Sequence, residues 1–538
     1  MQRWGWVVSP KIDDAPDVRP ADDKTPALER SGDRRALLKV AAAALAGVLA
    51  PAVARAQGVG PRPSPRKTVG TSGTPNVPWR TPLPVASPSI SNADVPELRL
   101  VRRITMGITD AESARARQMG YDTYLEYHLA AETIDDSQVE AFVATNYPMV
   151  SQAVDQLYNA DSGTIQAQLT NAWIYRAAFS TRQLRERAVE FWSDHFNIAI
   201  SKVGYLKVGD DRDVIRKYAL DTFPNLLKAS AHSAAMLAYL DQTQSRNGAP
   251  NQNYAREIME LHTLGVNGGY TQTDVAELSR VLTGWTIAGR GNFNFDPNLH
   301  DFASKSVLGV TIPATVKSVV GAGAQGEGEQ MLNVLVNHPS TAVFVGTKML
   351  RYFLRYDPTP DQVAEVAGVY NGTGGDIKAM LRAVLSQKNL AAAPPKLKRP
   401  FHLVASTLRA LGPGALVTKL DSLSRQVTTL GQQPFEWQTP DGYPDRIDYW
   451  AGNVLSRWNF ASVASNANGA DFKVDVTPFT ANTAEGVVNA IGTYAYAGEM
   501  DPILRNELKS FLGTTQPTAA KIREALGLAL SSSTFQYF

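Results

Sequence analysis

The sequence predicts a mainly α-helical fold: one large multi-helical domain over residues 96–538, behind a signal peptide and a proline-rich linker. Three observations carry that expectation. Apolar residues recur at three- and four-residue spacing through most of the chain after Pro96. Period-two alternation is scarce, with Thr315 to Val320 the one fair strand candidate. No repeat of fixed period is visible, so a solenoid is not expected. With 44% apolar and 19% charged residues over 538 positions, the chain holds ample material for a buried core.

The first element is a leader over residues 1–56. Arg34-Arg35-Ala36-Leu37-Leu38-Lys39 precedes the apolar run Val40 to Ala50, and Ala54-Arg55-Ala56 supplies a small-x-small cleavage site before Gln57. Paired arginines ahead of a short, alanine-rich run resemble a twin-arginine export signal, with Asp33 where that pattern has Ser or Thr. The resemblance implies a periplasmic or secreted protein, exported already folded. The run falls short of the roughly 20 residues a membrane span needs, and no later segment reaches that length, so the mature chain is expected to have none. Residues 57–95 hold eight prolines amid Ser, Thr and Gly, the composition of a linker with no core to bury.

Charge and cysteine content exclude whole classes. The 53 Lys and Arg against 51 Asp and Glu include nine basic and seven acidic residues in the leader, so the mature chain would carry 44 of each. Phosphate recognition needs a basic excess, so no nucleic-acid partner is expected. Zero cysteines exclude disulfides, thiolate metal sites and a cysteine nucleophile.

Within the body, helical periodicity runs through 111–131, 164–180, 182–198, 213–240, 252–264 and 272–283. It resumes over 327–338, 341–355, 361–370, 375–387, 399–411 and several stretches after 485. Proline and glycine clusters at 286–328 and 412–450 read as long loops, which in compact domains are often functional. In the central block, Pro250-Asn251-Gln252-Asn253 opens a helix that Gly265 closes. Thr271 caps the next, with Asp274 three residues on in a capping-box arrangement and therefore structural.

The run Asn253-Tyr254-Ala255-Arg256-Glu257-Ile258-Met259-Glu260-Leu261-His262-Thr263-Leu264-Gly265 is similar to the signature of the bacterial DUF1800 family. So are Phe191-Trp192-Ser193-Asp194-His195-Phe196, Leu282-Thr283-Gly284-Trp285, His300-Asp301-Phe302 and Lys398-Arg399-Pro400. Gln252 stands where the family usually has Glu. The resemblance spans about Leu98 to the C-terminus and implies export. It also implies, as a partner, a co-exported protein of sulfatase-like fold, but no reaction.

Candidate site residues follow from helical phase. On a regular wheel Glu257 falls inside the apolar stripe between Leu261 and Leu264, where a carboxylate must be paired, hydrogen-bonded or protonated. Asn253 and Glu260 flank the stripe, Arg256 is placed to pair with Glu260 at i,i+4, and His262 falls at the opposite edge. On the earlier helix His195 sits among apolar side chains, while Glu190, Asp194 and Asn197 share a polar face. Glu257, Glu260, Asp194, His195 and Asp301 are the catalytic candidates, set against the reading of such groups as a structural buried network, which leads for Glu260 and His195. Asn253, Arg256, His262, Trp285, His300, Trp437 and Tyr443 are the substrate-binding candidates. The last two lie in an aromatic stretch, Phe435 to Pro444, which either stacks on a flat ligand such as a sugar ring or plugs the core.

Several motifs fail their own tests. Gly321-Ala322-Gly323-Ala324-Gln325-Gly326 matches a dinucleotide fingerprint, but no βαβ alternation surrounds it, so it reads as a glycine-rich loop. Seven widely spaced histidines leave any metal unknown, and the sequence identifies no cofactor. The leading expectation for function is an exported hydrolase of an extracytoplasmic polymer such as a carbohydrate. Glu257 would be its acid, and its partner base would come from Asp194, Asp241 or Asp301, because Glu257 and Glu260 share one helix face. The alternatives are a non-enzymatic assembly partner of the sulfatase-like protein and a cofactor-dependent periplasmic enzyme.

Overall fold

The computed structural model describes residues 95–316 and 325–538. The leader over 1–56, the linker up to residue 94, the strand candidate beyond residue 316 and the glycine run 321–324 lie outside the described residues. Helices follow one another from Pro96–Ile104 to Ser533–Gln536, and the fold is mainly α. Some begin where the sequence places an oxygen-bearing cap before a proline. Thr359 and Asp501 accept hydrogen bonds from the first-turn N–H groups of Pro360–Thr373 and Pro502–Leu512. Thr271 and Asp274 form the expected capping box at Gln272–Val281.

The stretch expected as one long loop after Trp285 contains two antiparallel hairpins, Trp285–Ala288 with Asn292–Phe295 and Lys305–Val307 with Val310–Ile312. Strands of three or four residues are too short for alternation to register in the sequence. The second hairpin turns through Leu308 and Gly309, both at positive φ. That is the geometry of a two-residue primed turn, and the Asp274 carboxylate accepts the Leu308 N–H at 2.7 Å. A third ribbon pairs Ala415–Val417 with Phe472–Val474. The other expected loop, 412–450, also holds the helices Asp421–Thr429 and Ile447–Trp450.

One contiguous apolar core reaches from Leu100 to Phe535, with a small satellite of Leu397, Trp450 and Tyr537. Two helices lie at its centre. In Gln183–His195 every residue but Arg185 and Asp194 is buried, and in Pro400–Leu411 every residue but Arg409. The polar face expected on the first is therefore not solvated. Its Glu190 is met inside the protein by Arg399 and Tyr352, distant in sequence, which helical phase cannot reveal. No helix among the described residues is long and apolar enough to cross a membrane.

Candidate functional site

The central helix changes pitch midway. Asn251 caps it by accepting the Asn253 N–H at 2.9 Å. Gln252–Glu257 is α-helical, and Ile258–Thr263 then forms a π turn. Thr263 Oγ1 donates to the Ile258 carbonyl at 2.6 Å, and the Leu264 N–H to the Met259 carbonyl at 2.7 Å, both five residues back. One extra residue in the turn rotates everything beyond Glu257 off the regular wheel. His262, expected at the edge of the apolar stripe, is 1% exposed, while Leu261, expected within the stripe, is partly exposed. Arg256 does not pair with Glu260. The pitch changes between them, and Arg256 donates to Gln272 at 2.9 Å, while Glu260 accepts the Tyr270 hydroxyl at 3.3 Å.

Glu257 stands at the junction of the two pitches, partly buried. Burial pushes its carboxyl above the usual range; Glu260 and Asp441 add to the shift and Arg256 opposes it. It makes no hydrogen bond or ion pair among the described residues. Asn253, one turn earlier, is exposed.

Asp194 and His195 close the helix Gln183–His195. One Asp194 oxygen lies 2.7 Å from the Arg399 guanidinium in an ion pair. Arg399 also donates to Glu190 at 2.6 Å, and Glu190 further accepts from Tyr352 at 2.6 Å and Arg187 at 3.1 Å. Burial pushes Asp194 up to about 6; Arg399 opposes that shift and Glu190 reinforces it. A fifth of the Asp194 side chain still reaches solvent.

Lys348, from the helix Pro339–Phe353, stands nearby with its Nζ 5.5 Å from the Phe344 ring centroid and no ion pair among the described residues. Burial lowers it to about 8, against the pull of Asp194 and Asp441. Behind these groups His195 Nε2 donates to the His262 carbonyl at 3.1 Å, leaving its Nδ1 a buried acceptor without a partner. His262 Nε2 is likewise buried and unpartnered. Burial first, and the Lys348 charge after it, hold His262 down to about 3 and His195 well below its ordinary value, so both imidazoles are neutral. A carboxylate paired with Arg399 but still reaching solvent, two unbonded imidazole nitrogens and a lysine without an ion pair among the described residues thus share one neighbourhood.

The aromatic loop is tied to the same place. Asn197 donates to the Trp437 and Thr439 carbonyls, and the Tyr239 hydroxyl to the Gln438 carbonyl, all at 2.8 Å. Trp437 packs 4.8 Å from Tyr443 and 6.0 Å from Tyr449, and its indole N–H donates to Asp441. Neither expected alternative describes the loop in full. Phe435 is buried against Trp173, whereas Trp437 and Tyr443 are only partly buried. Gly442 brings the loop onto the Asp194 backbone at a φ of 75°, where an added Cβ would sit 2.1 Å from the Asp194 carbonyl oxygen. Gly442→Ala is therefore expected to cost about 1–3 kcal/mol through positive φ and to lift the loop away. Calorimetry and tryptophan fluorescence check this, and an unchanged melting temperature with unshifted emission would contradict it.

The model of the family described as Protein of unknown function (DUF1800) matches residues 99–537. The chain belongs to the DUF1800 family. We found no match to it among curated proteins or among solved structures. Three of the DUF1800-like segments quoted above, 191–196, 253–265 and 398–400, meet around Asp194 and His262.

The remaining DUF1800-like segments build a different cluster. His300 bonds the Thr283 carbonyl at 2.7 Å and approaches Glu327 at 3.3 Å, and Lys305 pairs with Glu327 at 2.7 Å, all of them buried. Asp301 is held by Arg280 at 2.8 Å, and Trp285 is wholly buried against Gly328. None of these partners is Glu257, Asp194 or Lys348, so Trp285, His300 and Asp301 are engaged in a separate cluster. Asp241 pairs with Lys202 at 3.0 Å. Sequence reasoning missed Lys348 and Asp441. Asp441 lay within the quoted aromatic stretch, but Lys348 carries no local signal, one lysine on an ordinary amphipathic helix. Among the described residues no group of three or more His, Asp or Glu side chains is arranged to hold a metal ion.

Proposed function

We propose that the protein is an exported hydrolase of an extracytoplasmic polymer, with carbohydrate the class its aromatic loop suits. The observation that carries the reading is the set of titratable groups with shifted protonation beside Trp437 and Tyr443: Glu257 and Lys348, which have no ion pair among the described residues, and Asp194, which is paired with Arg399. Asp194 and Lys348 are drawn towards neutrality from opposite sides, and Glu257 is raised on a separate element. Groups poised near neutral pH suit proton transfer to a ligand. Glu257, its carboxyl raised by burial, supplies a proton to the leaving oxygen. Asp194, mostly ionised above pH 6, takes one from water. Carboxyls from two elements answer the objection that Glu257 and Glu260 share one helix face. Lys348 holds a substrate oxygen, and the Trp437–Tyr443 pair offers ring faces for stacking.

The test is turnover on a panel of cell-envelope and secreted glycans. Glu257→Gln and Asp194→Asn are each expected to lower kcat about 10²–10⁴-fold with the melting temperature little changed. The kcat/KM profile should fall below about pH 6 as Asp194 is protonated and above about pH 8 as Lys348 loses its charge. No turnover by the wild type on any glycan, or full activity in both variants, overturns the reading.

One observation favours the second reading, a non-enzymatic partner of a co-exported sulfatase-like protein. Tyr449, against the aromatic loop, is 48% exposed, and Leu455 in the next helix is 68% exposed. A stoichiometric partner co-purifying from the native host, together with no glycan turnover, would select it.

A further inference from the structure

The carbonyls of the aromatic loop turn inward, and one short segment receives most of them. The Ile200 N–H donates to the Phe435 carbonyl, and the Asn197 amide donates to the Trp437 and Thr439 carbonyls, each at 2.8 Å. The Tyr239 hydroxyl takes the Gln438 carbonyl between them, also at 2.8 Å. Gly442 then closes the loop onto the Asp194 backbone. Asn197 is itself 4% exposed and lies just beyond the end of the helix that carries Asp194. Phe435 enters the loop at a φ of 61°, a conformation its side chain disfavours and that persists only where the surroundings fix it.

With its carbonyls turned in, the loop presents Gln438, Thr439 and Asp441 to solvent. The polar edges of its rings are occupied from within. The Trp437 indole N–H donates to Asp441 at 2.9 Å, and the Tyr443 hydroxyl to the Gln433 carbonyl at 2.7 Å, so what remains for a ligand is ring face. The same Asp441 oxygen accepts the Thr439 hydroxyl at 2.5 Å, which ties this carboxylate to the stretch that Asn197 holds. Asp441 acts on both Glu257 and Lys348 and raises each of them. The other charges facing Glu257 are Glu260 and Arg256; those facing Lys348 are Asp194 and Arg351, with the neutral His195 and His262 behind.

We propose that Asn197 is a positioning residue: it latches the aromatic loop to the end of the Asp194 helix and so sets the ring faces and Asp441 beside the proton-transfer groups. The latch makes the loop a fixed wall of a preformed site, so that binding surface and titrating groups are held as one unit. The effect on turnover rests on the hydrolase reading; the latching of the loop and the pull of Asp441 on Lys348 do not.

The experiment compares the full-length mature protein with Asn197→Ala, Tyr239→Phe and Asp441→Asn. Two readouts need no turnover: chymotryptic cleavage after Trp437, located by mass spectrometry, and competitive acetylation of Lys348 across pH, read on its own peptide. Cleavage after Trp437 should quicken at least about tenfold in Asn197→Ala, and less in Tyr239→Phe, which serves if Asn197→Ala does not fold. Asp441→Asn removes a charge that holds Lys348 up, so the acetylation midpoint should fall by roughly half a unit. Asn197→Ala should lower it in the same direction, and the double variant no further. On a glycan that the wild type turns over, Asn197→Ala should raise KM at least about tenfold and move the alkaline limb of the profile to lower pH. Unchanged cleavage after Trp437 in the folded variants overturns the latch. An unmoved Lys348 midpoint in Asp441→Asn, or shifts that simply add in the double variant, overturns the part given to Asp441. If the wild type turns over no glycan, cleavage and acetylation still decide the proposal, and the hydrolase reading alone falls.

Discussion

Arg399→Ala is expected to destabilise the protein by about 3–5 kcal/mol, the largest effect of any single truncation around the site. Arg399 is the one cation that touches both Glu190, which is 1% exposed, and Asp194. Removing it leaves Arg187 and Tyr352 to balance Glu190 alone and leaves Asp194 facing a like charge. The loss should appear as faster unfolding and a lower melting temperature at fixed scan rate, the proper measure for a chain of this size. Adding Glu190→Gln to Arg399→Met should recover part of it, because the buried charge and its partner leave together. A small effect of Arg399→Ala, or no coupling between the two positions, would refute this account of the network.

Lys348→Met should make the protein more stable and less active at once. Its folded-state value of about 8 lies below the ordinary 10.5, so folding disfavours the charged form. The cost is complete below about pH 8 and fades as pH rises towards 10.5. Discounted for partial exposure, removing the charge is worth of order 1–2 kcal/mol at neutral pH. The gain in melting temperature should be largest below pH 8 and shrink above it, with turnover lost throughout. A stability gain bought at the expense of function marks a group kept for its chemistry. A loss of stability at neutral pH would instead make Lys348 a structural residue.

Helical phase, caps and proline positions made the architecture legible, because each acts over a few residues. Thr271 and Asp274 behave as read. The short hairpins after Trp285 were not legible: Leu308 takes a left-handed turn that its side chain disfavours, under the hold of Asp274 thirty-four residues away. Glu257 was singled out as a carboxyl in an awkward place, and burial raises it. The groups around Asp194 were found only in part. Asp194 and Arg399 lie about two hundred residues apart, and nothing local in either segment announces their meeting. His300 and Asp301, conspicuous in sequence, are already engaged by Glu327 and Arg280.

The π turn at Ile258–Thr263 has a bearing on how such a site originates. A π turn is an α-helix holding one residue more than its flanking turns can place, so inserting a single codon can make one and deleting a codon can erase it. The chain holds a second at Asp210–Ile215, where Asp210 pairs with Lys207 and Asp211 with Arg216. In both places the surplus residue turns polar side chains inward without altering any of them chemically. The protein's buried polarity is thus partly a matter of counting, since the number of residues in each turn helps decide which side chains face inward.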